Sequence, residues 1–395
     1  MRSFRKQVLS SFMVAGTAIG SGVLALPILA AGPGIINTLI FIALTFILAY
    51  KMAEVSLDVY ARYDNHRVNA ATLALDYFGR PGYILTMILN ALSMGALAAA
   101  YINAGGDLLA KTLLPLFHIH IGSQLAMLIF FIVFMPAFAI GLGFISRLNG
   151  CIFAIKFALL SCGILLGLNL IDPGIFAFIP SEAKYLGAGA STMFCIWMMH
   201  MVLPLILRIN DWNPAKAKKA VLIGLIIPAF AYAGWLLLII SLVSRQEFLK
   251  LGTIGDIMLY ALTKPGVPIL ISTLVGGFAA ITVLTAFLSI GFSLVAFVLD
   301  IFKWNDDHKS RAIGTLISFT IPVAVALIFP TAFVLIYQQS NMFQIAAAMI
   351  PIAAAYVYNK KHALKVTPEC IMLFLTSLII LSQILDDLSI FPSYT

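Results

Sequence analysis

Charged residues are scarce in this chain of 395 residues: Asp, Glu, Lys and Arg make up 10% of it, whereas hydrophobic residues make up 62%. A soluble globular protein carries roughly 25% charged residues, so this shortage excludes an ordinary water-soluble domain. The mean hydropathy is +1.04, and several apolar runs reach the roughly 20 residues that an α-helix needs to cross a bilayer. The sequence therefore predicts an all-α polytopic membrane protein embedded in the lipid bilayer.

Cysteine and histidine are also rare, with four and six residues. The four cysteines lie in or beside apolar segments, so a disulfide framework is not expected. The histidines are scattered, and few acids fall within the apolar runs. This distribution argues against the clustered acid–base or metal-binding groups of a membrane-embedded enzyme. We expect no enzyme activity, no cofactor and no metal.

Basic residues exceed acidic ones, which gives a net charge of +8. Because Lys and Arg are dispersed over the connections between apolar runs, this charge does not indicate nucleic-acid binding. The first apolar run is too long for the hydrophobic part of a cleavable signal and lacks a convincing cleavage site. We expect it to remain as the first transmembrane helix.

Apolar runs separated by Pro, Gly and charge predict eleven transmembrane helices within a single transmembrane domain, 1–395. The predicted spans are 7–30, 34–60, 83–113, 121–143, 147–171, 188–208, 217–243, 266–302, 310–330, 332–358 and 368–390. The connection before the third span contains Val68 to Phe78, which can form a short amphipathic helix at the membrane surface. Most Lys and Arg fall in connections on one side, which predicts a cytoplasmic N-terminus and a periplasmic or extracellular C-terminus.

Eleven spans can be divided into ten plus one. The first ten then form two halves of opposite topology, 7–171 and 188–358, and 368–390 is an extra C-terminal helix. Each half begins with an interrupted helix: three glycines lie within Gly16–Gly22, and Pro204 follows His200 in the middle of the sixth span. Corresponding interruptions in inverted halves are typical of transporter binding sites. The alternatives are a Gly-x-x-x-Gly packing face in the first helix and a simple proline kink in the sixth.

Three stretches resemble the bacterial hydroxy- and aromatic amino acid permeases of the amino acid–polyamine–organocation superfamily. Residues Gly16–Pro27, GTAIGSGVLALP, are similar to the family signature G-T-x-I-G-x-G-x-L-x-x-P. Residues Trp197–Pro204, WMMHMVLP, match F-G-F-H-x-x-x-P at His200 and Pro204 and depart from it at the first three positions. Residues Thr285–Gly291, TAFLSIG, are similar to T-S-F-L-G with alanine in place of serine.

This resemblance implies a LeuT-like fold of five plus five inverted helices, with helices 1 and 6 broken. It also implies proton symport of an aromatic amino acid, tyrosine or tryptophan above others, into a bacterial cell across the inner membrane. The transporter is expected to work as a monomer. Sodium coupling and a small neutral or hydroxy amino acid remain the nearest alternatives, and a channel or an enzyme is more distant.

An amino acid zwitterion needs a partner for each of its charged ends. We expect its carboxylate on free N–H groups from Ala18 to Gly22, because a helix N-terminus favours an anion. The ammonium then meets carbonyls near Trp197 and His200, and Trp197 either bounds the site or only packs the core. The predicted substrate-binding residues are Gly16, Thr17, Ala18, Gly20, Ser21, Gly22, Trp197 and His200.

Lys156 lies in the fifth span, nine residues after Arg147 and hence roughly 13 Å deeper along a helix. A lysine inside a membrane is a functional candidate by default. In some proton-coupled members of the superfamily, a helix 5 lysine occupies the place of a sodium ion between helices 1, 5 and 8. We therefore predict a proton-coupling role for Lys156, held by helix 1 carbonyls and by Thr285 or Ser289. The alternatives are a lysine that reaches the inner interface and a permanently charged structural lysine.

Overall fold

A computed structural model describes residues 2–20, 22–63, 68–140, 142–171, 185–243, 247, 250–251 and 254–388. Within these ranges, nine helices are long and apolar enough to cross a membrane, and a bent pair at the N-terminus makes a tenth. A shorter apolar helix covers Ala154–Leu170. The chain is therefore a helical, multi-pass membrane protein, as its composition predicts.

In the described residues of the first half of the chain, 2–171 with its gaps, there are seven α-helices. They are α1 (Arg2–Ala18), α2 (Gly22–Ala30), α3 (Ile35–Ala61), α4 (Ala70–Leu108), α5 (Ser123–Phe134), α6 (Pro136–Ile140) and α7 (Leu142–Gly167). A π-helix, Leu109–Leu113, and a 3-10 turn, Leu114–Phe117, extend α4. A 3-10 turn, Leu168–Leu170, extends α7.

Eight more α-helices lie in the part of the second half that the structure describes. They are α8 (Leu186–Cys195), α9 (Leu203–Ile209), α10 (Pro214–Leu242), α11 (Ile254–Thr263), α12 (Ile269–Phe302), α13 (His308–Ile328), α14 (Phe333–Lys361) and α15 (Thr367–Asp387). A 3-10 turn, His200–Val202, lies between α8 and α9.

Each predicted span coincides with a helix or a helix pair, but some boundaries differ. The predicted surface helix is the first part of α4, and Gly79 separates it from the span because its φ of 67° and ψ of −163° are not helical. Asn69 caps α4 by accepting a hydrogen bond from the Thr72 N–H. The fifth span was predicted to begin at 147, whereas α7 begins at Leu142. Helix α11, in the connection between α10 and α12, was not predicted.

Helix α1 packs closely against its neighbours because a small residue lies at the contact. Helix α1 lies against α10, where a Cβ atom added to Gly224 would lie 2.6 Å from the Ser11 carbonyl oxygen. Two hydrogen bonds hold α1 to its neighbours: the Ser11 hydroxyl donates to the Ala220 carbonyl of α10, and the side-chain amide of Asn210, which follows α9, donates to the Ser10 hydroxyl. Such pairing is required where water is excluded.

Candidate functional site

The first helix is interrupted at its glycines. Helix α1 ends at Ala18, α2 begins at Gly22, and their axes differ by 52°. The Gly20 N–H bends back to the Ala18 carbonyl at 2.6 Å. Because the first N–H groups of a helix have no carbonyl partner one turn earlier, the start of α2 presents donors in the middle of the protein. Ser21, which was predicted to add a hydroxyl here, lies outside the described residues.

The sixth helix is interrupted as well. Helix α8 ends at Cys195, and the chain turns through four residues before the 3-10 turn at His200 and the start of α9. Met199 has a φ of −130° and a ψ of 11°, which ends the helical geometry. Pro204 lies in the first turn of α9, where its missing N–H has no cost. The absence of a glycine at Met198 therefore does not prevent the interruption.

Tyr232 of α10 joins the two interruptions. Its hydroxyl oxygen contacts both the Ala18 carbonyl at the end of α1 and the Ile196 carbonyl just after α8, the latter at 3.0 Å. These carbonyls carry the partial negative charge of two helix C-termini. One hydroxyl has a single proton, so it satisfies only one of the two carbonyls at a time.

A cavity of about 750 Å³ lies between the two interruptions. Its lining comes from α1, α2, α4, α7, α8, the His200 turn, α12 and α14. Leu9 and Phe12 border it from α1 and are 54% and 50% exposed. A ligand of amino acid size fits within a cavity of this volume.

Two tyrosines border the cavity beyond the first interruption. The rings of Tyr101 in α4 and Tyr337 in α14 lie 6.5 Å apart, and Phe333 stacks on Tyr337 at 5.6 Å. A Cβ atom added to Gly22 would lie 2.6 Å from the Tyr337 hydroxyl oxygen and 3.2 Å from Ile196. Only glycine permits this approach between α2 and α14.

Lys156 reaches the first interruption from α7. Its side chain is buried, with 4% of its surface exposed, and Nζ donates a hydrogen bond to the Ile19 carbonyl at 2.5 Å. An ammonium at the C-terminal end of α1 is stabilised by the helix dipole. Thr285 and Ser289 of α12 line the same cavity, and the Thr285 hydroxyl donates to the carbonyls of Ile281 and Thr282 within its own helix.

His200 borders the cavity without a hydrogen bond. Both of its ring nitrogens are buried, and neither has a partner among the described residues. Thr17, which also lines the cavity, is satisfied locally because its hydroxyl donates to the Met13 carbonyl at 2.8 Å.

Most of the predicted site residues come together at this cavity. Those lining it are Gly16, Thr17, Ala18, Gly20, Gly22, Lys156, His200, Thr285 and Ser289. Trp197 is not among the lining residues: it is fully buried, its indole N–H donates to the Thr45 hydroxyl at 3.2 Å, and its ring packs against Phe46 and Tyr232. Trp197 therefore turns toward α3, whereas the next two residues of the motif, Met198 and Met199, line the cavity.

The sequence prediction missed Tyr101, Tyr232, Tyr337 and Cys195. The signal for Tyr232 was a hydroxyl in an otherwise apolar run, where a buried donor needs a partner. Nothing in the runs around Tyr101 and Tyr337 indicates which side of each helix meets the cavity. Their role in lining it follows only from the packing of α4 against α14.

An ion pair links the two interrupted helices on the side where α1 begins. Lys6 of α1 lies 2.5 Å from the carboxylate of Asp211, which follows α9. Hydrogen bonding from Lys6 lowers the pKa of this carboxyl below its usual value. Both residues are largely exposed, so the pair contributes little to stability.

Comparison with known proteins matches nearly the whole chain to one family. The model of the tryptophan/tyrosine permease family matches residues 4–385. Tyrosine-specific transport system 1 of Haemophilus influenzae is 28% identical over 376 residues, which cover 91% of this chain and 90% of that protein. The tryptophan-specific transport protein of Shigella flexneri is 24% identical, with 88% and 86% covered. Glutamine transporter 2 of Aliivibrio fischeri is 23% identical, with 89% of both covered.

A solved structure has a similar fold. It is the crystal structure of a mutant of the manganese transporter of Eremococcus coleocola, with a TM-score of 0.59, 14% sequence identity, and 96% of this chain and 86% of that chain covered. In the described part of the present chain, no group of three His, Cys, Asp or Glu side chains is placed to hold a metal ion. The likeness therefore concerns the fold alone.

Proposed function

Since the chain belongs to the tryptophan/tyrosine permease family, whose members are transporters and not enzymes, we propose that it imports an aromatic amino acid, tyrosine or tryptophan, by proton symport. The cavity between the two interrupted helices is the observation that carries this proposal. Transport proceeds by alternating access around it. Leu9 and Phe12 of α1 border the cavity and are half exposed.

The helix ends supply partners for both charges of an amino acid. The N–H groups at the start of α2, near Gly22, favour a carboxylate, since they carry the positive end of a helix dipole. The carbonyl of Ile196 at the end of α8 favours an ammonium. Tyr232 can satisfy either that carbonyl or the one of Ala18, which leaves the other free to accept from the substrate.

The rest of the cavity suits an aromatic side chain. Tyr101, Tyr337, Met198 and Met199 give it aromatic and thioether walls. Rings pack favourably against both groups. A cavity of about 750 Å³ is large enough for an amino acid and water, so the side chain of tryptophan is not excluded on size.

Lys156 is the proposed coupling residue. Its ammonium lies on the Ile19 carbonyl, within the interruption that receives the substrate carboxylate. Loss of its proton would remove both this hydrogen bond and a positive charge from the end of α1. The conformation of the interruption and the charge of Lys156 are therefore linked, as a proton-driven cycle requires. Thr285 and Ser289 complete the polar wall opposite this lysine.

The proposed arrangement in the membrane has eleven spans. Helices α1 and α2 form the first, α8 and α9 form the sixth, and α15 follows the two five-helix halves. The interruptions occupy corresponding places in halves of opposite topology, which supports an inverted repeat. We place the chain in the bacterial inner membrane as a monomer, with its N-terminus in the cytoplasm and its C-terminus outside.

Uptake into proteoliposomes tests the proposal. Purified protein is reconstituted, and labelled tyrosine and tryptophan are supplied with an inward proton gradient, an inward sodium gradient or neither. We expect accumulation above the external concentration with the proton gradient, and its loss when an ionophore collapses that gradient. Accumulation that follows sodium would contradict proton coupling and leave the substrate assignment intact.

Labelled glutamine and serine provide the substrate control. The glutamine transporter among the relatives makes a smaller polar substrate the alternative that a specific comparison favours. Transport of either, with no transport of any aromatic amino acid, would overturn the aromatic assignment.

A further inference from the structure

We infer that His200 is the specificity-determining residue of the cavity, and that its imidazole hydrogen-bonds the polar atom on the ring of the substrate. The chemical class that it selects is an aromatic amino acid carrying a hydrogen-bond donor on its ring, such as a phenol or an indole. Phenylalanine, which lacks that donor, is disfavoured. This inference rests on the proposed function and refines it.

The first observation is the state of the imidazole. Both nitrogens are buried, and neither meets a hydrogen-bonding atom in the described part of the chain. Other polar side chains around the cavity differ: Thr17 donates to Met13, Lys156 donates to Ile19, and Thr285 donates within its own helix. A buried polar group without a partner is costly, so such a group in a cavity wall is suited to receive one from a ligand.

The second observation is the position of His200 relative to the charged ends of the substrate. The partners proposed for those ends are backbone groups at Gly22 and Ile196, at the interruptions themselves. His200 begins the 3-10 turn that leads into α9, four residues after Ile196 in the chain. The imidazole is therefore free for the remaining polar atom of the substrate, the one on its side chain.

The third observation is a recess of about 20 Å³ that His200 also borders, between α3 and the sixth helix. Its other walls are mostly small or apolar, including Ala49, Ala53 and Met52. Ser56 is the exception, and its hydroxyl already donates to the Met52 carbonyl at 2.7 Å. A polar atom of the substrate that enters this recess therefore has the imidazole of His200 as its hydrogen-bonding partner.

The chemistry of the imidazole fits both proposed substrates. A neutral imidazole has one donor and one acceptor nitrogen, so its acceptor can take the O–H of tyrosine or the N–H of tryptophan. A phenylalanine ring in the same place would leave both nitrogens unpaired. A site with an unpaired buried group rejects the analogue that lacks the matching atom.

The experiment compares substrates that differ in this one atom. Initial uptake of tyrosine, phenylalanine and O-methyltyrosine is measured in proteoliposomes for the wild type, His200→Phe and His200→Gln. The wild type should favour tyrosine over phenylalanine by roughly 10-fold to 100-fold, the effect of one buried hydrogen bond. O-Methyltyrosine keeps the oxygen as an acceptor and loses the donor, so its uptake should be slower than that of tyrosine.

The variants separate hydrogen bonding from shape. His200→Phe should reduce the ratio of tyrosine to phenylalanine uptake to about one, with phenylalanine uptake retained, because only one hydrogen bond is lost. His200→Gln should retain part of the preference. His362→Phe is the matched control: His362 follows α14, is exposed, is not among the residues that line the cavity, and stacks on Tyr358, so this change should leave the ratio as in the wild type.

Two results would overturn the inference. Equal uptake of tyrosine and phenylalanine by the wild type would do so even if no variant could be purified. An unchanged ratio in His200→Phe, or a ratio that collapses equally in His362→Phe, would do so as well. In each case the wild type still transports aromatic amino acids, so the proposed function stands. Absence of any aromatic uptake by the wild type would refute the proposed function first.

Discussion

The Nζ atom of Lys156 lies 2.5 Å from the carbonyl oxygen of Ile19. This hydrogen bond connects α7 to the interruption between α1 and α2, where a helix has ended and its last carbonyls lack N–H partners. The contact places the ionisable lysine, which is almost fully buried, directly on the element that forms one side of the cavity. A change in the charge of Lys156 therefore acts directly on the interruption between α1 and α2.

Replacement of Lys156 should uncouple transport from the proton gradient. Lys156→Met keeps the length of the side chain and removes the ammonium, so we expect tyrosine or tryptophan accumulation driven by a proton gradient to be lost. The matched control is Lys51→Met, since Lys51 is exposed and forms an ion pair with Glu54 at 2.7 Å. Wild-type accumulation by Lys156→Met would show that the lysine only reaches the interface or fills space.

The contact between Gly22 and Tyr337 predicts a rescue. Gly22→Ala introduces a Cβ atom 2.6 Å from the Tyr337 hydroxyl oxygen, and we expect transport to fall because α2 and α14 are forced apart. Tyr337→Phe removes that oxygen and leaves the next ring atom 3.5 Å away, so the double variant should recover the activity of Tyr337→Phe alone. The initial rate of uptake is the measurement, with the amount of protein in the membrane as its control.

Failure of the double variant to recover would indicate that the neighbouring Ile196, 3.2 Å from the added Cβ, is the decisive clash. Normal transport by Gly22→Ala alone would contradict the described packing of α2 against α14.

The contact between α1 and α10 predicts a loss of stability. In Gly224→Ala the added Cβ would lie 2.6 Å from the Ser11 backbone oxygen and 2.6 Å from Val14. Backbone atoms of a packed helix cannot move aside cheaply, so overpacking should reduce the free energy of unfolding by about 1–3 kcal/mol. The fraction of monodisperse protein that remains after heating in detergent measures the change.

Gly277→Ala is the control for this prediction. Its added Cβ meets Leu159 at 3.6 Å, an ordinary contact, and alanine is a better helix former than glycine. We therefore expect Gly277→Ala to be neutral or slightly stabilising. Equal heat resistance of the two variants would contradict the close approach of α1 and α10.

The ion pair before α13 predicts a pH-dependent stability. The Arg311 side chain is 3% exposed and donates to the Asp306 carboxylate, which lowers the pKa of that carboxyl. A lowered pKa in the folded state adds stability above the unfolded pKa of about 4, and this stability is lost as the pH falls through the folded pKa. Asp306→Asn should therefore unfold at a lower temperature than the wild type at pH 7, and the gap should narrow toward pH 3.

Asp307→Asn serves as the neighbouring control. Asp307 caps α13 by accepting a hydrogen bond from the Ser310 N–H at 2.9 Å, and asparagine is an equally good cap. Its unfolding temperature at pH 7 should lie close to that of the wild type. A larger effect of Asp307→Asn than of Asp306→Asn would show that Arg311 does not depend on the neighbouring carboxylate.

The parts of the fold that were predictable are those with a local chemical cause. The glycines of Gly16–Gly22 and the proline of the sixth span lower the cost of interrupting a helix, and both spans are interrupted. Lys156 was identified because a charge inside a membrane needs a partner. The described structure supplies one in the Ile19 carbonyl, although its function in coupling stays a prediction.

The unpredicted parts depend on helix rotation. Trp197 was expected near the substrate, yet it turns toward Thr45, and the unpredicted Tyr232 lies between the interruptions. In a helix that is apolar on all sides, no amphipathic pattern specifies the face that meets the interior. Helix α11 was missed because it is short and lies in a connection, where propensity is a weak guide.

The measurement that tests the central claim most directly is equilibrium binding of labelled tyrosine and tryptophan to the purified protein, with and without Gly20→Val. Gly20 lines the cavity, and among the described residues the atoms nearest to an added Cβ are the Ala18 and Thr17 carbonyl oxygens, both at 3.8 Å. The Cβ of valine is therefore at an ordinary contact distance, and we expect its methyl groups to occupy the proposed position of the substrate.

We predict saturable binding of one aromatic amino acid per chain by the wild type, and no binding by Gly20→Val protein that is folded and inserted in the membrane. Unchanged binding by Gly20→Val, or no binding of either amino acid by the wild type, would contradict a substrate site at the interrupted helices.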